Sequence, residues 1–257
     1  MKILVCIKQV PDMESKFKVA ASGKWYDTAD LAWRMNEYDE YAVEQAVQVK
    51  EQVGDADLTV LCIGGERVKE TMKKALAMGC DRGVHVADDK AAEKEPFEIA
   101  GIIAEFARDK QFDLIFTGMQ SQDRGSAQVG VLTAEMLGIP SISTIVQFAY
   151  ADGRIETRRE LEGGVKSIVK AAAPALVTCQ LGLNTPRYPT LPNIMKAKKK
   201  ELLSLPVADL LKVDARQETG KMYFPVKKGG GLVLEGEIGQ LVDQLIQILK
   251  EKTGVLA

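Results

Sequence analysis

The sequence predicts an α/β fold, a mainly parallel sheet with helices on both faces, to which β-hairpins and a C-terminal helical arm are added. Three observations predict it. Short β-branched runs alternate with longer segments of helical period, the mark of parallel strands joined through helices. Gly54, Gly79 and Gly138 each follow a helical segment, where a left-handed terminal residue costs least. From residue 142 to 181 the helical period stops, and strand-like runs are broken by Asp152-Gly153 and Gly163-Gly164, which are hairpin signals.

In order, the strand runs are ILVCIK at 3–8, LTVLCIG at 58–64, GVHVA at 83–87 and DLIFTG at 113–118. The helical segments between and after them cover 40–53, 67–78, 97–110 and 128–137. In the first, Ala42, Ala46, Val49 and Val53 recur at helical spacing, while Glu44, Gln48 and Glu51 fall on other faces. Beyond residue 200 come a short helix at 207–211, a polar stretch, glycines 229–231 and a last helix. Its stripe of Ile238, Leu241, Val242, Leu245 and Leu249 must dock on something, either its own chain or a partner.

Composition removes several function classes. A formal charge of -2 over 257 residues argues against the broad basic footprint that nucleic acid requires. The strand run starting at Lys2 leaves no room for a leader, and no apolar stretch approaches a membrane span, so a cytoplasmic protein without membrane insertion is expected. Cys6, Cys62, Cys80 and Cys179 are scattered, with no C-x-x-C and only His85 as an imidazole, so no metal site is expected. The cysteines read as buried apolar residues in a reducing compartment, and His85 reads as structural. No nucleophile elbow, G-x-G-x-x-G or P-loop occurs, so no catalytic residue is assigned.

Three constellations remain. The stretch 117–138, TGMQSQDRGSAQVGVLTAEMLG, reads as strand, polar turn, then a helix opening near Ser126. That order offers free N–H groups and a helix dipole to a phosphate, with Gly125 allowing close approach. The plainer reading makes Ser126 an N-cap. At NEYDEYAVEQAV, residues 36–47, Asn36 or Asp39 either caps the first helix or faces a ligand at the strand ends. In LNTPRYPTLPNIMKAKKK, residues 183–200, Pro186, Pro189 and Pro192 repeat at the period of polyproline II. Such a segment is stiff. It would hold Leu191, Ile194 and Met195 on an exposed loop beside Lys196, Lys198, Lys199 and Lys200, which suits docking; the alternative is that the apolar side chains pack inward.

With ILVCIKQVPD, ALAMGCDRGVHV and RELEGG, that last run makes the chain resemble the electron-transfer flavoprotein β family along most of its length. The resemblance implies a Rossmann-like, adenine-nucleotide-binding subunit without catalysis of its own. It would pair with an α subunit that carries FAD, take electrons from an acyl-CoA or related dehydrogenase and pass them to a quinone oxidoreductase. Its recognition loop falls on 183–200, and the chain is expected to divide into a nucleotide-binding domain at 1–205 and a C-terminal arm at 206–257. The nucleotide pocket falls on Cys6, Asn36, Asp39, Ile63, Asp123, Arg124, Gly125, Ser126, Ala127, Gln128, Val129, Gly130 and Thr133. Docking falls on Leu191 as anchor with Pro192, Asn193, Ile194, Met195 and Lys196, and orientation of the flavin domain on Glu160.

Departures from the family pattern are Glu37 in place of a common proline, Met13 in place of an aromatic near the flavin, and Pro189 in place of a common alanine. One branch of the family binds a second FAD in this subunit and bifurcates electrons; the other holds AMP. Arg124, Gly125 and Val131 replace glycine, aspartate and proline of the bifurcating turn, which points to AMP, with a second FAD as the alternative. A different class, a stand-alone ATP-binding protein or ligase, lacks its usual H-x-G-H or S-G-G-x-D-S strings.

Overall fold

The computed structural model describes residues 1–226 and 229–253; residues 227, 228 and 254–257 of the expected arm lie outside the described residues. The strands are β1 (Lys2–Ile7), β2 (Gln9–Pro11), β3 (Trp33–Met35), β4 (Asp57–Gly64), β5 (Arg82–Ala87), β6 (Leu114–Gly118), β7 (Ser141–Ala151), β8 (Arg154–Glu160), β9 (Lys166–Ala172), β10 (Ala175–Cys179) and β11 (Leu202–Pro206). The helices are α1 (Glu37–Val53), α2 (Val68–Met78), α3 (Pro96–Ala107), α4 (Val129–Leu137), α5 (Leu191–Ala197) and α6 (Ile238–Lys252).

Nine strands form one sheet in the order β11-β5-β4-β1-β6-β10-β7-β8-β9. Pairing is parallel from β11 to β7, and β8 and β9 extend it as antiparallel hairpins. The strand β1 shows why both faces carry helices, because every second side chain points the same way. Ile3, Val5 and Ile7 pack with Ala42 and Ala46 of α1 and with Met72 and Leu76 of α2. Leu4 and Cys6 pack with Ile102 and Phe106 of α3 and with Ala134 of α4. A continuous apolar strand is what such two-sided burial requires.

The expected glycine stops are the C-caps of α1, α2 and α4, with φ of 80°, 143° and 67°. Asp152 and Gly153 turn the first hairpin with φ of 48° and 76°, the paired positive values of a tight turn matched to strand twist. Four details of the fold differ from expectation. The helix expected near Ser126 begins at Val129, and the segment expected as a helix at 207–211 is only a 3-10 turn, Val207–Asp209. Val53 ends α1 partly exposed instead of completing its apolar stripe. Glu44, expected on an outer face, is buried because Arg187 covers it with two guanidinium bonds of 2.8 and 3.0 Å.

The chain divides into two compact units, Met1–Met222 and Tyr223–Ala257. Residues 207–222, after β11, stay with the first unit. The Arg216 N–H and the Gln217 side-chain amide both donate to Glu95, which caps α3, and the Met222 N–H donates to the Gly23 carbonyl. The second unit carries α6, none of whose residues is buried.

Candidate functional site

A cavity of about 480 Å³ opens at the C-terminal ends of β4, β1 and β6. It lies where the chain reverses its direction of travel across the sheet, since β1 is flanked by β4 on one side and β6 on the other. Helix crossovers leave to opposite faces at such a point and open a crevice between them. Cys6, Ile7, Leu61 and Ile63 make the apolar floor, and the polar turn between β6 and α4 makes one side.

That turn is shaped by backbone and buried polar groups. Gly125 and Ala127 take left-handed φ of 60° and 53°, and Gln128 returns to the right-handed region. Such alternation turns successive N–H groups into a concavity that suits anions. No side chain caps α4, so its first-turn N–H groups keep their donor capacity. Gly130 lets the helix start against the sheet, because a Cβ there would lie 2.6 Å from Thr117 Oγ1 and 2.8 Å from Thr178 Cγ2.

Asn36 and Asp39 hold this turn in place. The Asn36 amide donates to the Gln120 carbonyl at 2.8 Å, and its oxygen accepts from the Gln122 N–H at 3.0 Å. The Asp39 carboxylate accepts from the N–H of Lys8 at 2.6 Å and of Gly118 at 3.1 Å, tying the end of β1 to the end of β6. Burial pushes its carboxyl up to about 7, against the opposing pull of those hydrogen bonds and of Lys8.

Four cations line the cavity, and each has a partner. Lys8 Nζ bonds Asp123 at 2.6 Å, and Lys94 pairs with Asp88 at 3.1 Å. Arg67 donates to Gln9 at 2.8 Å and lies 3.4 Å above the Trp33 ring. Arg124 donates to the Ala92 carbonyl and lies 4.5 Å above the Trp25 ring. The amides of α4 are therefore the uncommitted anion donors, and the fixed cations supply the surrounding field.

Of the pocket residues expected from sequence, Cys6, Asn36, Asp39, Ile63, Asp123, Arg124, Ser126, Ala127, Gln128, Val129 and Gly130 line this one cavity. Two do not. Gly125 acts only through its left-handed backbone, and Thr133 is buried, its hydroxyl donating to the Val129 carbonyl one turn back at 2.8 Å. Ser126 lines the cavity but does not cap the helix. Sequence reasoning missed Lys8, Gln9, Trp25, Trp33 and Arg67, which carry no spacing signal and converge only through folding. Gly64 and Gly65, which belong to no G-x-G-x-x-G fingerprint, also line the cavity. A Cβ on Gly65 would lie 2.6 Å from Asp89 Oδ1.

The cysteines are free and buried; burial pushes the Cys62 and Cys80 thiols up to about 12 and those of Cys6 and Cys179 higher still. His85 is buried between Ser204 Oγ and the Gly64 carbonyl, each at 2.7 Å, and joins β5 to its neighbours. Among the described residues no group of acidic, cysteine and histidine side chains is arranged for a metal, and no helix is long and apolar enough to cross a membrane.

Before α5 the proline-rich run has no regular secondary structure, and Thr190 at its end is extended, with φ -75° and ψ 157°. Helix α5 then begins at Leu191, so the apolar anchors sit on a short helix and not on a loop. Thr190 caps it by accepting from the Asn193 N–H, and Pro192 stands in its first turn. Leu191 is 73% exposed, Ile194 41% and Met195 56%; Pro192, Asn193 and Lys196 are exposed as well. Lys200, the last of the lysines beside them, is committed to the fold: its ammonium bonds the carbonyls of Leu76 and Cys80 at the end of α2. Glu160 ends β8 on the surface, opposite Lys166 of β9 and outside the cavity.

Fold and site together define a doubly wound α/β protein with a cleft at the ends of β4, β1 and β6, into which the uncapped start of α4 opens. Residues 24–210 match the electron transfer flavoprotein domain. Over 261 residues the chain is 40% identical to the electron transfer flavoprotein subunit beta of Bacillus subtilis (strain 168), with 100% of each chain covered. It is 35% identical over 254 residues to the same subunit of Homo sapiens, covering 98% of this chain and 97% of that one. With Methylophilus methylotrophus the identity is 34% over 264 residues, covering 99% and 100%. The chain belongs to the electron transfer flavoprotein β-subunit family. It is thus an electron-carrier subunit of a flavoprotein, and its family implies an α-subunit partner.

Proposed function

We propose that this subunit holds AMP in the cavity at the strand ends, completes the FAD site of the α subunit, and docks dehydrogenases of the acyl-CoA type through Leu191. Electrons then pass through the complex to a quinone oxidoreductase. The supporting observation is the separation of two surfaces: an internal cleft with uncommitted α4 amides, and an outlying helix whose apolar residues face solvent.

The residues present fit an adenine nucleotide. Cys6, Ile7 and Ile63 offer an apolar bed for a base, and Ala127 to Gly130 offer backbone donors for a phosphate. A volume of about 480 Å³ suits a small ligand held in a preformed site. AMP here would serve as a structural ligand, its phosphate neutralising the open end of α4, while flavin supplies the redox chemistry of the complex. Glu160, on the exposed hairpin extension, would orient the flavin domain. The buried free thiols suit a reducing compartment, and we place the protein in the cytoplasm.

Burying Leu191 in a partner's pocket contributes about 1.5–3 kcal/mol. Leu191→Ala should therefore slow electron transfer from the dehydrogenase about tenfold or more at limiting concentrations, without loss of flavin. Unchanged docking kinetics would remove the anchor role. Nucleotides released from the denatured αβ complex should include AMP alongside FAD. FAD in excess of the α-subunit site, with no AMP, would establish the bifurcating alternative.

A further inference from the structure

Helix α5 carries exposed apolar residues with almost no packing of its own. Of its seven residues only Ala197 is buried, and a helix so short needs tertiary support to persist. That support comes from its flanks. Ahead of Leu191, Arg187 bonds Glu44 and Glu51 of α1. Behind it, the Lys200 N–H donates to the Ala197 carbonyl at 3.1 Å, and the Lys200 ammonium crosses to α2, where it bonds the Leu76 carbonyl at 2.8 Å and the Cys80 carbonyl at 2.5 Å. Just beyond, the Gly83 N–H donates to the Glu201 carbonyl and β11 joins β5.

The end of α2 is suited to receive that cation. The helix has no basic residue in its own last turn. The Cys80 N–H, which would otherwise close a turn onto Leu76, bonds the Ala75 carbonyl at 3.3 Å, so the Leu76 carbonyl takes its donor from elsewhere. Lys50 of α1 takes the Gly79 carbonyl at 3.1 Å and is neutralised by Asp81 at 2.5 Å. Lys200 supplies the second positive charge at the negative end of the helix. Burial, and next the nearby Lys50, pull its ammonium below the ordinary lysine range. Lys196, Lys198 and Lys199 are exposed, so Lys200 is set apart from the other lysines of the run.

We propose that Lys200 is a positioning residue for docking: by tying the end of α5 to the end of α2, it fixes the orientation in which Leu191, Ile194 and Met195 meet the dehydrogenase. The inference rests on the docking reading above. A surface already held in its bound orientation has less freedom to lose on binding, so Lys200 acts on affinity and leaves the flavin untouched.

The test uses the intact αβ complex carrying Lys200→Met, which keeps an apolar stem without donors, or Lys200→Arg, which restores charge and donors, beside Leu191→Ala. Amide hydrogen exchange of residues 193–199 is read first, and it needs no partner. Electron transfer from an acyl-CoA dehydrogenase is then followed against complex concentration and salt. Lys200→Met should exchange the α5 amides about tenfold faster with α1 unchanged. Its half-saturating concentration should rise about three- to tenfold, with kcat, flavin content and salt dependence as in the unmodified complex. Lys200→Arg should recover both quantities. If Lys200→Met does not assemble, Lys200→Gln, which keeps a neutral donor, is read in the same way. A lowered unfolding midpoint with unchanged α5 exchange and half-saturation shows a lysine that only supports the fold, and overturns the inference. A flattened salt dependence shows a steering charge and overturns it as well. Leu191→Ala without effect on transfer overturns the docking reading and the inference together. Weakened docking in Leu191→Ala, with Lys200→Met docking as the unmodified complex does, overturns the inference alone.

Discussion

Asp39 joins the ends of β1 and β6 beneath the cleft, and its buried carboxyl titrates near 7. An unfolded aspartate titrates near about 3.9. Between those values the folded chain keeps a proton that the unfolded chain has released. The stability tied to this group is therefore complete below about pH 4 and is lost as pH rises through 7. Asp39→Asn should flatten that slope, at a fixed cost of about 1–3 kcal/mol for the poorer match to two backbone donors. Urea unfolding at pH 5 and pH 7.5 measures it; an equal pH response in both proteins contradicts the assignment. The neighbouring Asn36 shows how far sequence reaches at this scale: its place beside a helix start was visible, but its bonds to Gln120 and Gln122 depend on β6 lying next to β1.

Helix α5 stands at a fixed place because the proline-rich arm before it is clamped to α1. Arg187 bonds both Glu44 and Glu51, its backbone N–H also donates to Glu44, and Asn184 donates to the Tyr41 carbonyl. Glu44 is nearly fully covered, so losing its guanidinium leaves a desolvated charge, whereas Glu51 is open to solvent. Such a mixed pair lies between exposed and buried cases, and Arg187→Ala should cost on the order of 1–3 kcal/mol. Adding Glu44→Gln should recover part of it, because the uncompensated charge is gone. Denaturant midpoints of the single and double variants decide the matter; no recovery would mean that packing, not charge, holds the arm. The proline period predicts a stiff arm. It did not foretell the clamp, since residues 44 and 187 meet only in the folded chain.

At the scale of the whole chain, residues 206–222 close over α3 through Glu95, and the second compact unit begins only at Tyr223. None of the α6 residues is buried, while Ile238, Val242 and Leu245 form an exposed apolar stripe. Deleting residues 223–257 should therefore leave nucleotide content and the cooperative unfolding of the first unit intact, and should weaken assembly with the α subunit, for which the apolar stripe is available. Nucleotide extraction and sedimentation of mixed subunits read the two effects separately. Loss of the nucleotide from the truncated protein would show that the first unit is not self-sufficient.

By itself the sequence determined the alternation of strands and helices, the glycine-ended helices, the hairpin extension and the exposed apolar residues that follow the proline run. These follow from local periodicity and backbone preference, which need no knowledge of distant residues. Tertiary structure alone decided that Val129 and not Ser126 opens α4, that Glu44 is buried, that Lys200 caps α2, and that Trp25, Trp33, Arg67 and Lys8 share a cavity with the α4 amides. The physical reason is that a parallel sheet gathers strand ends far apart in sequence. The site belongs to their order, β4-β1-β6, more than to any one segment.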